Sequence, residues 1–433
     1  MQSFIYIFNE IINPIFAQPS LILGFVVLVG LIALRKPFAE VMSGVIRTIT
    51  GVLILQTGAG LLSNLFRPII DALSELFAIS GVIIDPYATL AVVSDALGEK
   101  LSWVGFSMMI GFMVNIILVA LNRFTHLRSL FLTGHVMFLQ SALITWLVFY
   151  YFQLGFAATV CIAGGLAGLY WSIGAQLNAK PTELITGGAG ITVAHQQHLM
   201  NWLAWKIGPK LGKPGESINL IRFPAWLEDL KESTVSVPIV MGLFFTPMLV
   251  LLGAERVQAI SGIQNWLLYI PIVALSFGAF ITLINLGVGM FVKELSAAFK
   301  GISQKILPNM LIGVDGMAMA PYSPNAVVAG FLVCTLGQIS AILILLACGS
   351  PTLIIPGFVT LFFDSAITAV FADKFGGWKA LVVISFFVGW IHVFGSVWAA
   401  SLSGLTSAWM GPTDWGIVWP VIMTGLKALS HLH

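Results

Sequence analysis

The sequence predicts an all-α polytopic membrane protein, and three observations support this fold class. Of the 433 residues, 58% are hydrophobic and only 9% are charged, whereas a soluble domain is about 25% charged. The few charges are separated by long uncharged stretches, and strongly polar side chains interrupt those stretches at a handful of positions. A mean hydropathy of +0.98 leaves too little polar surface to cover a soluble globule of this size. A water-soluble enzyme, a disordered scaffold and a disulfide-stapled secreted module are therefore excluded.

The uncharged stretches give the number of membrane crossings, because one helical crossing needs about 20 apolar residues. The stretch between Arg128 and Lys180 encloses 51 residues, which is room for two helices joined near Tyr151 to Gly155. The other stretches are bounded by Glu10 and Arg35, Arg47 and Arg67, Lys100 and Arg123, Glu183 and Lys206, Glu232 and Glu255, Arg256 and Lys293, Asp315 and Asp364, and Lys379 and Asp414. About ten or eleven membrane helices are predicted.

Charge and cysteine usage exclude several other classes. The net charge of +2 argues against a nucleic-acid partner. The cysteines Cys161, Cys334 and Cys348 show no CxxC spacing, so we expect small buried hydrophobic residues and no redox or metal chemistry. The N-terminus has no basic segment before its first apolar run, so no cleavable signal peptide is expected.

The longest polar stretch, Lys206 to Thr234, lies near the middle of the chain. Its composition predicts a basic loop with a short amphipathic segment around Phe223 to Leu230. The positive-inside rule predicts that this loop lies on the cytoplasmic side. This position prompts a search for a duplication on either side of it.

The chain contains a weak internal repeat. GAGLLSNLFRPIIDALSELF, from Gly58, aligns with GVGMFVKELSAAFKGISQKI, from Gly287, and an aspartate follows each copy, Asp85 after 27 residues and Asp315 after 28. The copies differ in charge, with a net of −3 over residues 67–100 and +1 over residues 293–315. The sequence therefore predicts two inverted-topology transmembrane repeats, residues 1–225 and 226–433, with a site where they meet.

Polar residues inside apolar segments are the candidate functional residues, because they are costly in a membrane. They are Asp85, His135 with Gln140, His195 with Gln196, Asp315 and His392. Each has a simpler alternative: the aspartates could cap helices, and the histidines could bond neighbouring helices. His195 and His198 could also suggest zinc, but their spacing on a helix and the lack of a nearby third ligand in the sequence argue against it, so no metal and no cofactor are expected.

These residue types indicate the chemical class of the ligand. Imidazole, amide, phenol and carboxylate groups without a buried Lys or Arg fit a neutral or weakly anionic polyol, whereas a strongly anionic ligand would require fixed positive charge.

Several motifs occur in an order that resembles one family. They are LRKP, TGAG, DPYA, TGHVMF, AHQQ, ELSAAFKGIS, SPNAVVAGF, CGSPTLIIPGF and FADKFGGW. From about residue 5 to 425, the chain resembles the membrane-embedded C component, or permease, of the ascorbate-specific phosphotransferase system enzyme II.

The resemblance implies group translocation across the bacterial inner membrane. L-ascorbate would move inward and be phosphorylated on its terminal hydroxyl by the phosphocysteine of a cytoplasmic B component, itself recharged by a phosphohistidine A component. Family members are homodimers of about eleven helices, with a dimer-forming scaffold domain and a mobile core domain that moves in an elevator-like way. No stand-alone catalysis is expected from this chain.

The resemblance also implies substrate-binding residues. They are Pro86, Tyr87, His135, Leu139, His195, Gln196 and Asp315, with Gln140 as the amide nearest to Leu139. The chain departs from the family pattern at Pro86, where relatives often have a side-chain donor, and at Leu139, where relatives can have glutamine.

In the resulting hypothesis, Asp315 accepts a hydrogen bond from the terminal hydroxyl of the substrate and orients it for attack on the phosphoryl group. His135 and His195 would contact the ring oxygens, and Tyr87 would pack over the sugar-like face. The chief alternative is an ion-coupled secondary transporter in which Asp85 or Asp315 binds a proton or Na⁺. A passive channel fits poorly, because the polar segments are broken.

Overall fold

The protein is described from a computed structural model, which describes residues 19–77, 80–221, 233–262, 265–306, 310–357, 359–405 and 407–430. The fold is mainly helical. The helices of eight residues or more are α1 Pro19–Ala33, α2 Phe38–Phe77, α3 Pro86–Leu97, α4 Ser102–Ala120, α5 Gly134–Phe152, α6 Phe156–Thr186, α7 His198–Leu211, α8 Ser233–Leu252, α9 Ala254–Ser261, α10 Trp266–Ile306, α11 Pro324–Ala347, α12 Ser365–Trp390, α13 Ser396–Ser403 and α14 Thr413–Ser430. The strands are β1 Ser80–Ile84, β2 Ser129–Phe131, β3 Ile191–Val193, β4 Leu311–Val314, β5 Thr352–Pro356 and β6 Ala408–Trp409.

The strands correct the all-α prediction. They form two small parallel sheets, in the order β5-β1-β6 and β2-β4-β3. Sequence patterns missed them because the strands have at most five residues and are largely buried, so they read as continuous apolar runs without alternation.

The described helices pack as two sets. α1, α2, α8 and α10 pack mainly against one another, whereas α4 to α7 pack with α11 to α14. The two segments of the internal repeat lie inside the long helices α2 and α10, which pack side by side. An ion pair between Arg47 Nη1 and Glu294 Oε1, 3.0 Å apart, joins these helices.

The two halves of the described chain share one order of elements. A long helix, α2 or α10, is followed by a central strand, β1 or β4, and then by an aspartate that begins the next helical segment. Each central strand pairs only with strands of the other half among the described residues, so β1 lies between β5 and β6, and β4 lies between β2 and β3. The two halves are thus interlocked at the sheets.

The predicted two-helix stretch is confirmed. Helix α5 ends at Phe152 and α6 begins at Phe156, within the predicted joint. The corresponding break in the second half lies inside α12 at Gly377, whose φ of +67° and ψ of −168° favour glycine. A Cβ there would also lie 2.4 Å from the Lys213 carbonyl oxygen.

Five described helices are long and apolar enough to cross a membrane, or six if the bent pair α8 and α9 counts as one crossing. The helices are Trp103–Ala120, Gly134–Phe152, Phe156–Thr186, Pro324–Ala347 and the run Thr360–Ser403, which is kinked at Gly377. These crossings agree with the predicted multi-pass membrane protein.

The basic connector differs from the prediction at its start. Lys206 to Leu211 continue helix α7, with Lys206 Nζ 3.8 Å from the centre of the Trp205 ring. The amphipathic segment and the boundary between residues 225 and 226 lie outside the described residues, because the description stops at 221 and resumes at 233.

The cysteine prediction is only partly right. Cys334 is buried, but Cys161 and Cys348 are exposed. Cys161 lies in the apolar helix α6, and Cys348 directly follows the end of α11.

Candidate functional site

Asp85 and Asp315 occupy the same position in the two halves, directly after the central strands. Asp85 Oδ1 accepts hydrogen bonds from the backbone N–H groups of Tyr87 (2.9 Å) and Ala88 (3.2 Å). Asp315 Oδ1 accepts one from Met317 (2.8 Å). Both carboxylates therefore cap a helical segment with one oxygen, as one interpretation of the sequence allowed.

The two aspartates differ in the surroundings of their second carboxylate oxygen, Oδ2. Asp85 is fully buried, and a Cβ added at Gly357 would lie 2.9 Å from its Oδ2, so backbone closes over it. The Asp315 side chain is 33% exposed, and its Oδ2 lies 3.5 Å from His135 Nε2. Asp315, and not Asp85, can therefore reach a ligand.

Three side chains distant in the sequence meet beside Asp315 Oδ2. His135 is the second residue of α5, His195 lies between β3 and α7, and Asp315 follows β4. One potential ligand atom from each lies within 4.8 Å of the others, and the two imidazole centroids are 6.4 Å apart. The sheet β2-β4-β3 brings them together, because these residues follow its three parallel strands at one edge.

The tautomer of His195 follows from its neighbours. The backbone N–H of Gln196 donates to Gln197 Oε1 (2.8 Å), which identifies that atom as the amide oxygen. His195 Nδ1 lies 3.0 Å from the same oxygen and must therefore donate to it. The His195 Nε2 atom is left with a lone pair, so it can accept a hydrogen bond from a ligand.

Gln196 adds a further acceptor next to His195. The residue is 2% exposed, and its Oε1 has no hydrogen-bond partner within the described part of the chain. Such a group needs a donor, because an unpaired buried polar atom costs about 1–3 kcal/mol.

His198 holds His195 in place from the other side. Its Nε2 accepts a hydrogen bond from the His195 backbone N–H (3.3 Å), and its Nδ1 lies 2.9 Å from Asp414 Oδ2. Asp414 also accepts hydrogen bonds from the backbone N–H groups of His198 and Leu199 and from the Tyr170 hydroxyl. Asp414, treated in the sequence as a mere boundary of an uncharged stretch, is thus a buried anchor that joins α14 to the start of α7.

Gln140 supports His195 without facing the cluster. Its Nε2 donates to the His195 carbonyl oxygen (3.0 Å), and its Oε1 accepts from Trp171 Nε1 (2.6 Å). Leu139 is 4% exposed and packs in the hydrophobic core.

Pro86 and Tyr87 begin helix α3, directly after Asp85. Proline is favourable there, because the first helical residue needs no backbone donor. Tyr87 is 5% exposed, and its side chain interacts electrostatically with both Asp85 and Asp315. Tyr87 is therefore within electrostatic range of both carboxylates.

His392 lies in a second buried polar cluster. Its Nε2 is 2.8 Å from Asp364 Oδ2, and its Nδ1 is 2.9 Å from Gln338 Nε2. Asp364 and His392 both lie in π-helical turns, Thr360–Asp364 and Ile391–Gly395, which widen the helix and often occur near functional sites. The sequence offered no signal for Asp364 beyond its place at the end of an uncharged stretch.

The chain is similar to known membrane transport proteins. Residues 14–414 match the family described as "PTS system sugar-specific permease component". The "Ascorbate-specific PTS system EIIC component" of Mycoplasma pneumoniae is 30% identical over an alignment of 437 positions that covers 90% of this chain. The alignment spans 66% of that relative, just under two thirds of its length.

Proposed function

We infer the function from one premise: this chain belongs to the family of PTS system sugar-specific permease components. Family membership and the apolar helices make it a multi-pass membrane protein. A permease of this system implies a sugar-type substrate and phosphotransferase partner components. The printed name of the relative suggests ascorbate as the substrate.

We propose that the site beside Asp315 binds L-ascorbate. The observation that carries this proposal is the meeting of His135, His195 and Asp315, which come from separate elements. His195 keeps a lone pair at Nε2, and the adjacent Gln196 has a buried Oε1 without a partner among the described residues. Such a site favours a ligand that donates several hydroxyl hydrogens. At neutral pH ascorbate is a monoanion, with one ene-diol hydroxyl deprotonated and three hydroxyl groups left as donors.

Each site residue then has a role. Asp315 accepts a hydrogen bond from the terminal hydroxyl, His135 and His195 contact the ring oxygens, and Tyr87 packs over the ring. Gln196 accepts a further hydrogen bond through Oε1, and Pro86 and Leu139 form the apolar part of the wall. Gln140 acts through the His195 carbonyl, because both of its polar atoms are already engaged with protein groups.

The chemical step is supplied by partners. The terminal hydroxyl oxygen of ascorbate attacks the phosphorus of a phosphocysteine on the B component, the S–P bond breaks, and the hydroxyl proton passes to Asp315 or water. The A component restores the phosphocysteine. This chain contributes orientation and charge placement, which are the main protein contributions to phosphoryl transfer.

The architecture completes the proposal. Residues 1–225 and 226–433 would be inverted repeats that together provide about eleven membrane helices, and the shared order of elements and the interlocked sheets support this. The set α1, α2, α8 and α10 would be the scaffold of a homodimer, and the other set would be the core that moves in an elevator-like way. We place the protein in the bacterial inner membrane.

Equilibrium binding tests the substrate. Purified full-length protein in detergent is titrated with radiolabelled L-ascorbate, and saturable binding is expected. Asp315→Asn removes one acceptor while retaining a capping oxygen, so binding should weaken at least about tenfold. Asp95→Asn, an exposed change on α3, is the matched control and should bind normally. Normal binding by Asp315→Asn would contradict the assigned role.

A further inference from the structure

The cluster of His135, His195 and Asp315 has the composition of a transition-metal site. Two imidazoles and one carboxylate are a common ligand set for Zn²⁺ and related divalent ions. The sequence alone does not predict this set of three ligands, because the residues are 60 and 120 positions apart. The fold brings them to one place.

The distances suit a metal of this size. Zn²⁺ binds nitrogen and oxygen ligands at about 2.0–2.2 Å in a tetrahedron, which separates neighbouring ligand atoms by about 3.3 Å. His135 Nε2 and Asp315 Oδ2 are 3.5 Å apart, and the three potential ligand atoms lie within 4.8 Å of one another. A small inward movement of His195 would complete the set.

The neighbours of His195 prepare it as a ligand. A metal-bound histidine almost always donates its other ring N–H to an oxygen acceptor, which fixes the tautomer. His195 Nδ1 donates to Gln197 Oε1, and that oxygen is itself identified by the Gln196 backbone donor. His195 Nε2 therefore has the lone pair that a metal requires.

His198 is not a ligand, although it lies only three residues from His195. Both of its ring nitrogens already have partners, the His195 backbone N–H and Asp414 Oδ2. The proposed metal ligands thus differ from the pair of His195 and His198, whose proximity in the sequence could suggest zinc.

We propose that His135, His195 and Asp315 bind one Zn²⁺ ion per chain and that this ion excludes the substrate. The Asp315 side chain is 33% exposed, so solvent reaches the cluster and water can supply the fourth ligand. The exclusion rests on the proposed function, because both ligands use the same three side chains. The binding of Zn²⁺ itself does not depend on the proposed function.

Calorimetric titration of the purified protein with ZnCl₂ in a non-chelating buffer tests the metal site. One binding event per chain is expected, weakened at least about tenfold by each of His135→Ala, His195→Ala and Asp315→Asn. His126→Asn, an exposed histidine outside the cluster, is the matched control and should leave binding unchanged. Absence of Zn²⁺ binding, or binding that none of the three changes weakens, overturns the proposal.

A second measurement does not depend on folded variants. Co²⁺ added to the wild-type protein should produce visible absorption bands typical of low coordination by nitrogen and oxygen, and Zn²⁺ should abolish them. Failure to see these bands contradicts the site.

Competition separates this proposal from the proposed function. The apparent Kd for radiolabelled ascorbate should rise in proportion to the Zn²⁺ concentration, and Zn²⁺ is suitable because ascorbate cannot reduce it. Zn²⁺ binding without any ascorbate binding supports the metal site and contradicts the proposed substrate. Ascorbate binding that Zn²⁺ leaves unchanged contradicts the exclusion.

Discussion

The backbone N–H of His195 donates a hydrogen bond to Nε2 of His198, 3.3 Å away. The two histidines therefore have different roles despite their proximity. His195 belongs to the cluster with Asp315, whereas His198 connects the His195 backbone to the buried carboxylate of Asp414. Asp414 comes from the other half of the chain, so the position of His195 depends on how the halves interlock.

We predict that His198→Phe weakens ascorbate binding about tenfold, equivalent to about 1.4 kcal/mol. Phenylalanine preserves most of the ring volume but leaves the His195 N–H without its acceptor. If His198 acts through His195, the effect should disappear in the His195→Ala background, as a double-mutant cycle would measure. Additive effects of the two changes would contradict a positioning role.

Gly313 couples the sheet to the site. It lies in the central strand β4 and pairs with Phe131 and Thr192 on either side. A Cβ there would lie 2.5 Å from the Leu130 carbonyl oxygen and 2.8 Å from the Ala194 Cβ. The clash would push apart the strands that position His135 and His195.

Gly313→Ala should therefore weaken ascorbate binding at least about tenfold, because backbone must shift to accept even one methyl group. Gly289→Ala in helix α10 is the matched control, since a Cβ there meets nothing within 4 Å. Equal affinities of the two variants, measured by the same titration, would show that the site does not depend on the spacing of β2, β4 and β3.

Asp373 is predicted to stabilise the connector between α7 and the second half. Its carboxylate accepts hydrogen bonds from the Ser217 hydroxyl (2.6 Å), the Ile218 backbone N–H (2.8 Å) and the Ser323 hydroxyl (2.7 Å). Asp373→Ala leaves all three donors without this acceptor. We expect a destabilisation of at least about 2 kcal/mol.

The measurement is the midpoint of thermal unfolding in detergent, followed by tryptophan fluorescence. The exposed aspartate of α2, Asp71, gives the control variant Asp71→Ala, which should unfold at the wild-type temperature. A wild-type midpoint for Asp373→Ala as well would mean that the FADKFGGW motif has another purpose.

The sequence predicted the membrane class and the equivalence of Asp85 and Asp315, because both depend on local patterns. Uncharged stretches are directly countable, and an aspartate after a long apolar run stands out. The same patterns also identified the joint between α5 and α6.

The features that the sequence did not predict depend on contacts between residues that are distant in the sequence. The argument from the sequence against zinc at His195 and His198 assumed that both residues lie on one helix. In the structure, His195 precedes α7, and His198 contacts Asp414, which lies 216 residues away in the sequence. Likewise, the short buried strands show no alternation of polar and apolar residues, so no local signal separated them from helix. The different accessibility of Asp85 and Asp315 also required the fold.

Transport into sealed vesicles tests the central claim most directly. Vesicles that contain this protein are given radiolabelled L-ascorbate outside, with or without phosphorylated B component inside, and the internal label is separated into ascorbate and ascorbate phosphate. We predict that label accumulates as the phosphate, and only when the phosphorylated B component is present. Accumulation of unmodified ascorbate, driven by an ion gradient without the B component, would contradict this account and indicate an ion-coupled transporter.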